Sequence, residues 1–126
     1  MPMRIVYVDD DADIRTIVKF ALEDEEDIEL SLCGSGQEAL DCIDALRPDL
    51  ILLDVMMPGM DGPTTLRQLR QRAAFANVPV AFVTAKVQPH EIEQFKAMGA
   101  VDVIAKPFDA MILAGQVRAL WNRSRS

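Results

Sequence analysis

A parallel α/β domain is the fold this sequence predicts, with five strand–helix units, a sheet in the order 2-1-3-4-5 and helices on both faces. Three observations predict it. Short apolar runs alternate five times with amphipathic stretches, the pattern of strands and helices laid down on a parallel sheet. The runs also differ in kind. Ile5–Val8, Leu50–Leu53 and Val80–Val83 are continuously apolar, whereas Ile28–Leu32 alternates apolar with polar and the run at Val101–Ala105 is broken by Asp102. Strands buried on both faces read as continuous apolar runs, so the first three are central and the other two are edges. With right-handed crossovers this favours the strand order 2-1-3-4-5. Third, 126 residues suit one domain with one hydrophobic core.

The elements follow in order. The first strand, Ile5-Val6-Tyr7-Val8, runs into Asp9-Asp10-Asp11. A helix comes next, with Ile14, Ile17, Val18, Ala21 and Leu22 at the spacing of one apolar face. Asp11 and Asp13 suit its positive N-terminal end. After the second strand, Ser35 or Gly36 opens a helix carrying Ala39, Leu40, Ile43 and Leu46, and Pro48 stops it. The third strand ends in Asp54. The loop Val55–Asp61 leads to a helix with Leu66, Leu69 and Ala73 inward. The fourth strand ends in Thr84. A helix near Pro89–Met98, with Ile92 and Phe95 inward, closes at Gly99. The fifth strand ends in Lys106-Pro107. The last helix uses Leu113, Val117, Leu120 and Trp121, and Gly115 in its interior costs about 1 kcal/mol against Ala.

Composition excludes several function classes. Thirteen basic residues against 20 acidic ones give a net charge of −7, which disfavours direct nucleic-acid binding, since that needs a basic stripe. Arg118, Arg123 and Arg125 read as a solvated helix end that complements the helix dipole. Cys33 and Cys42 lack metal-ligand spacing and read as reduced thiols, core or half-buried. The apolar runs are strand-length, far short of a membrane span, and no signal peptide is evident, so the expectation is a soluble cytoplasmic protein. His90, the single histidine, reads as a solvated surface position.

The chemistry lies at the carboxyl ends of the strands. Asp9 and Asp10 follow the first, Asp54 ends the third, Thr84 the fourth, and Lys106 follows the fifth. In this topology all of these ends open onto one rim, where ligands bind. Three clustered carboxylates raise one another's pKa values, and a hard divalent cation relieves this. Mg²⁺ takes few oxygen ligands from protein and keeps positions for waters or phosphate oxygens. A carboxylate beside such a metal can attack phosphorus to form an aspartyl phosphate. Lys106 can stabilise charge on the transferring oxygens, and Thr84 can donate a hydrogen bond to them.

On these residues the chain resembles the response-regulator receiver family of two-component signalling, in particular its chemotaxis-regulator-like single domains. The matching stretches are Val8-Asp9-Asp10, Leu53-Asp54 through Met57-Pro58-Gly59-Met60-Asp61-Gly62, Val83-Thr84-Ala85 and Lys106-Pro107-Phe108. The resemblance covers Arg4 to about Arg123, nearly the whole chain. The resemblance implies a flavodoxin-like (βα)5 fold forming a single receiver domain over residues 1–126, with a core of about 4–122 and a polar tail at 123–126. It implies Asp54 as phosphoacceptor. It implies Asp9, Asp10, Asp54 and the backbone carbonyl of Met56 as Mg²⁺ ligands, with Asp9 acting partly through water. Thr84 and the Ala85 backbone N–H would meet the phosphoryl oxygens, Lys106 would pair with them, and Lys106-Pro107 would be a cis peptide.

The implied partners are a histidine kinase or histidine phosphotransfer protein upstream and an effector protein downstream. No direct contact with nucleic acid or membrane is expected, and the chain would be a monomer or a phosphorylation-dependent dimer. It would catalyse only its own phosphorylation and dephosphorylation, and so is not an enzyme in the usual sense. Met56 and Lys86 would flank the phosphoryl group. Met56 offers no hydrogen bond to an attacking water, which implies slow self-dephosphorylation. One departure stands out: the family carries Tyr or Phe three residues before its lysine, and here that residue is Val103. A β-branched side chain cannot act as a swinging aromatic gate, so Thr84 and the Lys86–Gln88 loop are left to carry the signal.

Plainer readings exist for each feature. Asp11 is better explained as a helix N-terminus than as a ligand. Met56, Met57 and Met60 are expected to pack under their loop, and Trp121 to pack in the core. Two other functions compete. One is an interaction module of the same fold without phosphorylation, favoured by Val103 alone. The other is a haloacid-dehalogenase-like phosphohydrolase, which needs an acidic residue where Met56 stands. The chain reads either as a free-standing receiver or as one cut from a longer protein.

Overall fold

The computed structural model describes residues 2–125. Its elements are β1 (Met3–Val8), α1 (Ala12–Leu22), β2 (Ile28–Cys33), α2 (Gly36–Leu46), β3 (Leu50–Asp54), α3 (Gly62–Arg70), a short 3₁₀ turn (Ala73–Phe75), β4 (Val80–Thr84), α4 (Pro89–Ala97), β5 (Asp102–Ala105) and α5 (Leu113–Ser124). The strands form one five-stranded sheet in the order β2-β1-β3-β4-β5, and every pairing is parallel.

Side chains of a strand alternate between its two faces, and the sheet uses that alternation to build two cores. Val6, Val8, Ile51, Leu53 and Phe82 lie on one side with Leu40 and Ile43 of α2, Leu66 and Leu69 of α3, and Phe95 of α4. Ile5, Tyr7, Leu50, Leu52, Ala81 and Val83 lie on the other with Val18 and Leu22 of α1 and Leu113, Val117 and Leu120 of α5. All residues of β3 and β4 are buried. Each large apolar side chain so buried contributes about 1.5–3 kcal/mol.

Local signals fix where the helices begin. The Asp11 carboxylate accepts from the N–H groups of Asp13 and Ile14, Ser35 Oγ accepts from Glu38, and Asp61 accepts from Thr64. Each satisfies a donor that the first helical turn leaves unpaired. At the end of α2, Arg47 takes the left-handed conformation with φ 47°, just before the buried Pro48.

Several expectations are corrected in detail. Ile17 is 41% exposed, although it shares a helical spacing with the buried Val18 and Leu22, because the apolar stripe of α1 is wider than the surface it covers. Ala73 is not on α3. That helix stops at Arg70, whose guanidinium binds the carbonyls of Phe75 and Val78, and Phe75 fills the core instead. Cys33 is buried as expected, but Cys42 is exposed on α2. Met57 is buried, while Met56 is 67% exposed at the rim. Arg123 and Ser124 continue α5, and Arg125 caps it with its guanidinium 5.1 Å from the Trp121 ring. Ser126 lies outside the described residues. Among those residues, no helix is long and apolar enough to cross a membrane.

Candidate functional site

Strand register brings the predicted residues to one end of the sheet. Val8 pairs with Leu53, Asp54 with Val83 and Thr84 with Ala105, so the residues that follow or end these strands stand side by side. The backbone pins their positions. The N–H of Asp9 donates to the Cys33 carbonyl, that of Val55 to Val83, and that of Lys106 to Thr84 at 2.9 Å. Lys106-Pro107 is cis. Gly62 permits a close approach of α3 to the backbone of β3: a Cβ there would lie 2.5 Å from the Asp54 carbonyl oxygen and 2.9 Å from Val55 Cα.

Asp9, Asp10 and Asp54 each offer a carboxylate oxygen, and these oxygens lie within 4.8 Å of one another. Asp9 and Asp54 are buried, and Asp10 is exposed. Lys106 reaches into the cluster, donating from Nζ to Asp54 Oδ1 at 2.8 Å and to Asp9 Oδ2 at 2.9 Å. The Asp9 carboxylate has two further donors, the Tyr7 hydroxyl at 3.0 Å on Oδ2 and the Asp11 N–H at 3.0 Å on Oδ1. The Arg15 guanidinium holds the Asp9 carbonyl at 2.6 Å.

The electrostatics follow from this crowding. Burial is the largest influence on Asp54, and with the nearby charges of Asp9 and Asp10 it pushes the carboxyl above the usual range despite the Lys106 hydrogen bond. Burial pushes Lys106 downward, but its hydrogen bonds to Asp54 and Asp9 outweigh that and hold it above its ordinary value. Burial and the Asp9 charge push the Tyr7 phenol well above its usual value, so it stays a donor. Two buried carboxylates and one exposed one share a single ammonium, which leaves excess negative charge. An all-oxygen donor set with that charge fits a hard divalent cation such as Mg²⁺.

The other predicted residues lie around this cluster. Thr84 is buried, and its Oγ1 accepts from the Lys86 N–H at 3.1 Å. Ala85 is exposed at the head of the following loop, and Met56 stands on the loop after Asp54. Val103 is partly buried against the core under α4, and it pairs in register with Phe82, whose ring meets that of Phe95 with centroids 5.1 Å apart. His90 is exposed on α4. Sequence reasoning missed Tyr7. Its signal was present: it is a hydroxyl-bearing residue in an otherwise apolar strand, two positions before Asp9 and hence on the same strand face.

Comparison with known proteins agrees with this geometry. A family model for the response regulator receiver domain matches residues 5–118. The chain is 39% identical over 124 residues to the DNA-binding response regulator MtrA of Mycobacterium tuberculosis, covering 98% of this chain and 53% of that protein. It is 34% identical over 119 residues to the transcriptional regulatory protein CseB of Streptomyces avermitilis, covering 94% of this chain and 49% of that one. The chain thus spans about half the length of these curated relatives. The chemotaxis response regulator CheY4 of Vibrio cholerae superposes with a TM-score of 0.87 at 28% identity, covering 95% of this chain and 99% of CheY4. The receiver domain of Francisella response regulator 1452 superposes at 0.84 with 30% identity, covering 97% and 98%. The strand order, the acidic rim and the family match over residues 5–118 therefore converge: this chain belongs to the response regulator receiver domain family of two-component signalling.

Proposed function

We propose that Asp54 accepts a phosphoryl group and that the domain acts as a phosphorylation-controlled binding switch. The observation that carries this reading is Lys106, whose ammonium bridges Asp54 and Asp9 inside a cluster of three carboxylates. An oxygen of the Asp54 carboxylate forms the new bond to phosphorus. The bond from phosphorus to the donor's imidazole nitrogen breaks, and the imidazole leaves with that electron pair and takes up a proton. Burial and the charges of Asp9 and Asp10 disfavour the free Asp54 carboxylate, so the positive charge of Lys106 and of bound Mg²⁺ would hold it ionised as the nucleophile.

Asp9, Asp10, Asp54 and the carbonyl of Met56 would hold Mg²⁺, which supplies charge neutralisation at the transferring oxygens. Lys106 follows the phosphoryl charge and stabilises it. Thr84 donates its hydroxyl proton to a phosphoryl oxygen, and the Ala85 N–H adds a second donor. Thr84 Oγ1 also holds the Lys86 N–H, so a shift of Thr84 toward the phosphoryl group pulls on the Lys86–Gln88 loop that opens α4. This route needs no aromatic ring at Val103, and population shift along it would change the surface offered to an effector.

The phosphodonor is a histidine of a kinase or phosphotransfer protein, and the output is a protein contact. The net charge of −7 argues against nucleic-acid binding by this chain itself. Incubation with acetyl phosphate tests the reading by intact mass, for wild type and Asp54→Ala, with and without EDTA. A labile, Mg²⁺-dependent gain of one phosphoryl group in wild type alone is expected. No adduct under any condition would instead favour a phosphorylation-independent interaction module, the reading to which Val103 points.

A further inference from the structure

Asp9 has no exposed surface, and its Oδ2 accepts two hydrogen bonds from donors of different kinds. Lys106 ends a flexible side chain that is 22% exposed and shared with Asp54 Oδ1. Tyr7 is fully buried, packed in the core under α1 and α5, so its ring cannot follow a moving charge. An apolar side chain would fill that core position as well as a ring with a hydroxyl. A buried tyrosine hydroxyl needs a partner, and this one is given to a carboxylate of the acidic cluster, 3.0 Å away.

We propose that Tyr7 is a positioning residue, the fixed donor that holds the Asp9 carboxylate in place when Lys106 turns from it to a phosphoryl group on Asp54. The inference rests on the phosphoacceptor reading above. In the free protein both donors serve Oδ2. A phosphoryl group on Asp54 concentrates negative charge beside Lys106, and the ammonium bonds follow it. Oδ2 then keeps Tyr7 alone. Without that hydroxyl, a fully buried carboxylate oxygen loses its last side-chain donor and turns to find another. Asp9 belongs to the carboxylate cluster, so its turning disturbs the site in the phosphorylated state more than in the free state.

The test uses Tyr7→Phe, which keeps the ring and removes one oxygen. Fluoroberyllate, which adds to a carboxylate as a phosphoryl-like group, is titrated in saturating Mg²⁺, and Mg²⁺ alone is titrated separately by calorimetry. Fluoroberyllate affinity is expected to fall about tenfold, the effect of one lost hydrogen bond to a charged group, while Mg²⁺ affinity of the free protein changes by less than about threefold. A merely structural role would lower the urea midpoint and leave both affinities at wild-type values, and that result overturns the proposal. Lys106→Met gives a second check on the free protein by urea unfolding. There Tyr7→Phe should destabilise more than it does beside an intact Lys106, and equal effects in the two backgrounds overturn the proposal. A wild-type chain that takes up no fluoroberyllate overturns the phosphoacceptor reading as well. Equal uptake by wild type and Tyr7→Phe overturns the role of Tyr7 alone.

Discussion

Gly62→Ala is expected to damage the site without removing any polar side chain. Gly62 opens α3 against the end of β3, and its N–H donates to the Val55 carbonyl at 2.9 Å. An added Cβ would lie 2.5 Å from the Asp54 carbonyl oxygen and 2.9 Å from Val55 Cα, well inside the optimal separation of about 3.5 Å or more. Both neighbours are backbone, so relief requires α3 to move away from the strand that carries Asp54. Overpacking of this kind costs about 1–3 kcal/mol, and straining the Gly62 hydrogen bond adds about 0.5–1.5 kcal/mol. The better helix propensity of Ala returns up to about 1 kcal/mol. The net expectation is a loss of about 2 kcal/mol, which lowers the urea midpoint by about 1 M at a typical slope. Gly115→Ala is the matched control: Gly115 lies within α5 with nothing within 4 Å of an added Cβ, so propensity alone should stabilise it by about 0.5–1 kcal/mol. Urea unfolding by circular dichroism measures both, and the initial rate of labelling by acetyl phosphate should fall only in Gly62→Ala. Shifts of the same sign in the two variants, or wild-type labelling by Gly62→Ala, would refute the reasoning.

Three further outcomes are expected. Met56→Asn places a hydrogen-bonding group at an exposed rim position and should speed loss of the phosphoryl group about two- to tenfold, the effect of one hydrogen bond to the attacking water, read from the decay of the labelled mass. Lys106→Met leaves Asp9 and Asp54 without their shared cation and should cost about 3 kcal/mol in urea unfolding at neutral pH, with labelling lost as well. The Thr64 backbone hydrogen bond holds the Asp61 carboxyl below the usual range. A folded-state value below the unfolded one contributes stability that is present above about pH 3.9 and is lost as pH falls through the folded value. Asp61→Ala should therefore cost about 0.5–2 kcal/mol at neutral pH, and its stability curve should meet that of wild type in strong acid.

The fold was legible because its strands are buried on both sides. Ile51, Leu52 and Leu53 face two cores between them, so no polar residue interrupts them, whereas Asp102 on edge strand β5 can reach Arg123 and Lys96 in partly exposed ion pairs. The rim residues were legible because a parallel sheet places every strand's carboxyl end on one side. What escaped depends on contacts distant in sequence. Ala73 fits the helical spacing, but Arg70 captures two carbonyls beyond it and ends α3. Cys42 and Met56 are apolar by type, yet each falls on a face that no other element covers. Tyr7 reads as one more core aromatic until the Asp9 carboxylate is found beside its hydroxyl.

Locating the phosphoryl group tests the central claim most directly. The protein labelled by acetyl phosphate and Mg²⁺ is reduced with borohydride, which converts an acyl phosphate to an alcohol, and its proteolytic peptides are sequenced by mass spectrometry. Homoserine at position 54 and nowhere else is the predicted result. Reduction at Asp9 or Asp10, or a stable adduct on His90 in place of a reducible one on Asp54, would contradict it.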